Sequence, residues 1–100
     1  MKALGFIEIT GVVAALDALD IMCKSADVSL VTWERKLGGR LVTLVVEGDV
    51  SAVTAAVDNA VKLSIKKPAA HLVIPNPHSE TRRIVELSAS RLKNKEAKNG

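Results

Sequence analysis

The stretch Glu34–Asp49, ERKLGGRLVTLVVEGD, decides how this chain folds. Two adjacent glycines, Gly38 and Gly39, stand among Arg35, Lys36 and Arg40, and a run of branched aliphatics follows them. Glycines beside cations suggest a phosphate cradle. Such a loop opens a helix, however, and the G-x-x-x-x-G-K-S/T pattern is absent. Here the pair separates two runs of strand character, DVSLVTWER before it and RLVTLVVEG after it. Gly-Gly supplies the positive φ that a tight hairpin turn requires, so the stretch predicts a hairpin with a cationic turn. In a monomer that turn is a solvated loop; in a symmetric oligomer it could form a ring.

Working outward, KALGFIEIT is apolar on both faces of an extended segment and predicts a strand buried on most of its surface. Thr10 is placed to cap a helix over GVVAALDALDIMCKSA, whose Val12, Leu16, Leu19 and Cys23 recur at helical spacing opposite Asp17, Asp20 and Lys24. After the hairpin, Gly48 ends the second strand. Asp49 is an N-cap for a helix carrying Val50, Val53, Val57, Ala60, Val61 and Ile65, with Lys62, Lys66 and Lys67 where they suit its dipole, until Pro68 stops it. AAHLVIP predicts a fourth strand, closed by Pro75 and Pro77. Ser79 then caps a short amphipathic segment with Ile84, Leu87 and Leu92 on one side. The order strand–helix–strand–strand–helix–strand is the split βαβ pattern. The expected fold is α/β (α+β, ferredoxin-like), a four-stranded antiparallel sheet with two main helices and a short C-terminal helix. Residues 1–92 form the domain, and residues 93–100 form a polar, disordered tail.

Composition agrees with one close-packed domain. Of 100 residues, 48% are hydrophobic, yet there is one Phe, one Trp and no Tyr, so the core must be aliphatic and small. Residues 1–79 carry eight basic and eight acidic side chains, which places the whole net charge of +3 in the C-terminal segment. That is a basic tail on a neutral domain, not a nucleic-acid surface. The single Cys23 excludes an intrachain disulfide framework and reads as a buried core thiol. MKALGFIEIT lacks the uninterrupted apolar core of a signal peptide, and no run approaches the ~18 residues of a membrane span. A soluble protein of a reducing compartment is expected.

Catalytic patterns are weak. His71 and His78 stand seven residues apart, too few ligands for zinc, and no cofactor or metal is expected. No G-x-S-x-G or nucleophile–base arrangement is visible. RNA-recognition domains share this element order but stack bases on aromatic residues, where this chain offers Val, Leu and Thr with Trp33 alone nearby. Trp33 reads as a packing or interface residue, and neither an enzyme nor a nucleic-acid binder is expected.

Four ordered segments, KALGFIEITG, ALDIMCKSADVSLV, LVTLVVEGDVSAV and HLVIPNPH, resemble the single-domain, hexamer-forming shell proteins of bacterial microcompartments, the BMC domain family. The resemblance runs from Lys2 to His78. It implies a homohexameric disc about a central pore, in the bacterial cytoplasm, tiled with other shell proteins around enclosed enzymes. It also implies that the loop Lys36, Leu37, Gly38, Gly39 and Arg40 encircles the six-fold axis, where small anionic metabolites pass, and that Lys24, Asn76 and His78 lie on the hexamer edge. There are departures from the family pattern. The loop reads Gly38-Gly39-Arg40 instead of Gly-small-Gly, and Asn76 stands where the edge motif has arginine. The hairpin holds one extra residue, placed within TWERK, which predicts a strand bulge or a shifted register. The rival reading is a ferredoxin-like, ligand-binding regulatory domain that dimerises.

Overall fold

The computed structural model describes residues 2–35 and 39–99, with side chains through residue 94. The elements are β1 (Ala3–Thr10), α1 (Val12–Ser25), β2 (Ser29–Arg35), β3 (Leu41–Gly48), α2 (Val50–Leu63), β4 (Ala70–Ile74) and α3 (Ser79–Asn99). The four strands pair antiparallel in the order β2-β3-β1-β4, which is the expected fold.

Because side chains alternate along a strand, β1 serves two cores. Ala3, Ile7 and Ile9 join Val42, Leu44 and Val46 beneath α1 and α2, while Leu4 and the half-buried Phe6 join Val45, Val31 and Val85 beneath α3. Each fully buried Leu or Ile here contributes roughly 1.5–3 kcal/mol. The larger core is built with small residues on its helix side: α1 buries Ala14, Ala15, Ala18 and Met22, and α2 buries Val53, Ala56, Val57 and Ala60. That overturns part of the helix reading. Leu16, Cys23, Val50 and Ile65 are exposed, and Leu19 and Val61 are only partly buried. The alanine face is the one that lets helix and sheet approach closely.

Register places the next features. The β2–β3 pairing shifts between Leu30 and Thr32, so Val31 is a bulge residue just upstream of the TWERK segment. The extra residue reverses the facing of everything after it. Leu30 lies opposite Val46, yet Trp33 lies opposite Leu44 and packs on the same helix-side core. Thr32 and Glu34 thereby face α3.

Of the two turn glycines, Gly38 lies outside the described residues, and among those described Gly11 holds the positive φ, at 99°. It occupies the N-cap of α1 in place of Thr10, and no side chain caps that helix. Its N–H donates to the Arg40 carbonyl at 2.7 Å, tying the returning arm of the hairpin to the β1–α1 corner. Asp49 is the N-cap of α2 as expected, through its carbonyl rather than its carboxylate. α2 stops at Leu63, before Pro68, where the Ser64 hydroxyl donates to the Ala60 carbonyl at 2.6 Å. Lys66 and Lys67 therefore lie beyond the helix.

α3 differs most from expectation. Its cap is His78, not Ser79: the His78 carbonyl accepts the Arg82 N–H at 3.0 Å, and its Nδ1 accepts the Glu80 N–H at 3.0 Å. Val85 is its buried anchor, whereas Ile84 and Leu87 are exposed. The helix runs on to Asn99, through the segment expected as a disordered tail. Arg82 pins the first turn, reaching Glu47 of β3 at 3.7 Å and the Lys2 carbonyl.

Candidate functional site

The hairpin turn and the β4–α3 loop occupy opposite ends of the sheet. Thr10, the last residue of β1, pairs with Leu41, so the start of β3, with the exposed Arg40 just before it, lies at the C-terminal end of β1. Leu4 pairs with both Glu47 and Ile74, and Glu47 pairs with Ser29. The end of α1, the start of β2 and the end of β4 therefore meet at the other pole. Of the expected loop, Gly39 and Arg40 are described and exposed; Lys36, Leu37 and Gly38 lie outside the described residues. The expected edge residues Lys24, Asn76 and His78 are all exposed and lie toward the opposite pole.

The strand ends that flank the turn are braced. On the outgoing strand, the Arg35 guanidinium sits 5.9 Å from the Trp33 ring centroid, a cation–π contact worth ~0.5–1 kcal/mol at an exposed site. On the face toward α3, the Ser88 hydroxyl donates to Glu34 Oε1, and Ser88 Oγ lies 3.0 Å from Thr32 Oγ1. On the returning strand, Gly11 holds the Arg40 carbonyl. Arg40 thus presents its guanidinium from a residue whose carbonyl is held by Gly11.

At the other pole, Lys24 pairs with Asp20 at 2.9 Å, one helical turn earlier. The hydrogen bond to Asp20, and then the charge of that carboxylate, holds the ammonium pKa above its ordinary value. Asp17, expected only to be solvated, accepts the Ile65 N–H at 2.8 Å and fastens the segment after α2 to α1. Cys23, expected in the core, is exposed on this helix. Partial burial pushes its thiol pKa up, and Asp20 adds to the shift, so the sulfur stays protonated and poorly nucleophilic.

Among the described residues no three of His, Cys, Asp and Glu converge as metal ligands, and no helix is long and apolar enough to cross a membrane. The Thr32–Ser88–Glu34 chain ties β2 to α3. Sequence reading missed it, since Thr32 and Ser88 are 56 positions apart. What the chain does display is apolar surface. Val13 is 74% exposed and Ile65 70%, with Leu16, Leu41, Val50, Leu63 and Leu72 also open to solvent. Single exposed aliphatics are ordinary, but so many on one small chain point to protein partners.

Comparison with known proteins bears on that surface. The BMC domain pattern matches residues 3–77. The microcompartment shell protein PduA of Citrobacter freundii is 45% identical over 86 residues, covering 84% of this chain and 91% of its own. The microcompartment shell protein EutM of Salmonella typhimurium is 41% identical over 90 residues, covering 88% and 93%. A crystal structure of a microcompartment protein from Desulfitobacterium hafniense DCB superposes with a TM-score of 0.75 at 23% identity. The match covers 88% of this chain and 48% of that one, and it establishes the likeness of fold.

Proposed function

The chain belongs to the BMC domain family, and from that premise we propose that it serves as a structural shell protein of a bacterial microcompartment, closing into a cyclic hexamer with a central pore. The observation that carries this reading is the separation of its two poles. A radial tile needs a narrow element at its axis and a contact surface at its rim. The braced hairpin turn supplies the first, and the end bearing Lys24, Asn76 and His78 supplies the second. The exposed aliphatics lie ready for burial between neighbouring copies, and a stable closed ring of this kind should cover more than about 1,000 Å² per contact.

In such a ring, six copies of Arg40 gather around the axis together with Gly39 and the loop residues Lys36, Leu37 and Gly38. Small anionic metabolites would be concentrated there and cations repelled. Like charges a few Å apart repel by roughly 1 kcal/mol per pair even in water, so a bound anion also steadies the ring. The role is structural and selective rather than catalytic. Its partners are other copies, other shell proteins and the enclosed enzymes, within the bacterial cytoplasm.

Electron microscopy of the purified chain tests the reading. Flat layers with a six-fold repeat and a stain-filled centre are expected. Particles without six-fold symmetry at any concentration would refute it.

A further inference from the structure

We propose that α3 is a detachable cover on the sheet, opening as one unit about the β4–α3 connection while the four strands, α1 and α2 stay folded. This goes beyond the shell reading and does not depend on closure of a ring.

The two faces of the sheet are held very unequally. Beneath α1 and α2 lies a core of fourteen buried residues, to which each helix contributes four. Beneath α3 lie Leu4, Val45 and Val85, and among the described residues Val85 is the one buried side chain that α3 itself supplies. The rest of its hold is polar. Arg82 reaches Glu47 at 3.7 Å and the Lys2 carbonyl, and Ser88 joins Thr32 and Glu34. Such contacts replace bonds to water with bonds inside the protein, so they stabilise far less than their gross strength. Apolar burial is what holds a helix to a sheet, and here α3 has little of it.

Docking also carries penalties that opening relieves. Arg82 Nε is buried with no acceptor among the described residues. Thr32 is 1% exposed, and its hydroxyl is met by Ser88 of α3. Water would satisfy both groups once α3 has moved away. Ile84 and Leu87 stay exposed even in the docked position.

The sequence supplies a hinge. Residues 75–78 lie outside strand and helix, and the fixed φ of Pro75 and Pro77 gathers motion at few bonds. The BMC pattern ends at residue 77, and the larger core draws on nothing beyond Val73. Opening uncovers Leu4, Phe6, Val31 and Val45, beside Leu72 and Ile74 of β4, which lie opposite Phe6 and Leu4. The domain thus alternates between a covered face and an apolar one that spans all four strands.

Amide hydrogen exchange of the full-length protein, followed across a guanidinium series below the unfolding midpoint, tests this. A free helix of this length is marginal in water, so its amides exchange once it leaves the sheet. Residues 83–88 should exchange together, about tenfold or more faster than the β1–β3 ladder. Their rates should also depend less steeply on denaturant, because the opening exposes less surface than unfolding does. Val57→Ala weakens the core on the other face. It should speed the ladder by about tenfold or more and leave residues 83–88 unchanged, since the contacts of Val57 persist when α3 opens. If residues 83–88 match the ladder in rate and denaturant dependence, or speed up with it in Val57→Ala, the proposal falls. In that case α3 leaves only when the whole domain unfolds. Should Val57→Ala fail to fold, the wild-type denaturant series decides alone.

Discussion

Replacing Gly5 with alanine tests how closely α2 lies on the sheet. A Cβ built on Gly5 would stand 2.7 Å from Val53 Cγ1, 2.9 Å from Val57 Cγ2 and 3.2 Å from Val46 Cγ2. The first two distances are below any ordinary carbon–carbon contact, and the atoms belong to valines whose χ1 is nearly fixed within a helix. They cannot rotate away, so α2 itself must lift. Overpacking of this kind costs about 1–3 kcal/mol. Restricting the unfolded chain returns ~0.4–1 kcal/mol, which leaves a net loss of about 1–2 kcal/mol. For a domain of this size each kcal/mol lowers Tm by ~4–8 °C, so a fall of roughly 5–15 °C is expected. Melting followed by circular dichroism measures it, at one chain concentration because assembly raises Tm by mass action. Val53→Ala removes the nearest methyl groups. Combined with Gly5→Ala, it should destabilise by at least ~1 kcal/mol less than the sum of the two single changes. A Gly5→Ala protein melting within 2 °C of wild type (roughly the resolution of the assay), or strict additivity in the pair, would refute the close approach.

Other outcomes follow from the edge, the cap, the tail and the thiol. Asn76→Arg restores a long bidentate donor at the rim and should strengthen sheet formation in microscopy; unchanged sheets would remove Asn76 from the edge. His78→Ala deletes the acceptor for the Glu80 N–H and should cost ~0.5–1.5 kcal/mol, with faster amide exchange at Glu80; unaltered exchange would refute the cap. Deleting Lys93–Gly100 should leave Tm unchanged, since the described apolar contacts of α3 lie before Lys93; a large drop would mean that the last turns are docked. Cys23, with its pKa raised first by burial and then by Asp20, should alkylate more slowly than free cysteine at neutral pH. Its rate should climb only in the alkaline range, and Asp20→Asn should accelerate it; a thiol as fast as free cysteine would contradict this.

The strands and their order were legible because alternation, the glycine turn and the prolines leave strong marks. The facing of the helices was not. In α1 the Leu16 and Cys23 stripe reads as the core, but the buried face is Ala14, Ala15, Ala18 and Met22, because alanine packs closely while adding little to an apolar pattern. Leu16 is a true hydrophobe whose partner surface lies outside its own subunit on the proposed assembly. The length of α3 was missed for another reason. After Leu92 there is no apolar stripe to follow, yet Arg, Lys, Glu and Ala are strong helix formers and carry the helix on. The bulge was expected from the extra hairpin residue, but adjacent Leu30 and Val31 hide its place, since either could face inward. The pore and edge roles proposed for Lys36–Arg40, Lys24, Asn76 and His78 rest on resemblance. The Ser88 contact was beyond reach, because only the folded chain brings α3 to β2.

The central claim is six-fold closure, and native mass spectrometry at micromolar concentration tests it most directly. A dominant species of six 10.6 kDa chains is expected, resistant to dilution and carrying no bound ligand of its own. A monomer at every concentration, or a dimer stabilised by a small molecule, would contradict the account and return the fold to the regulatory reading.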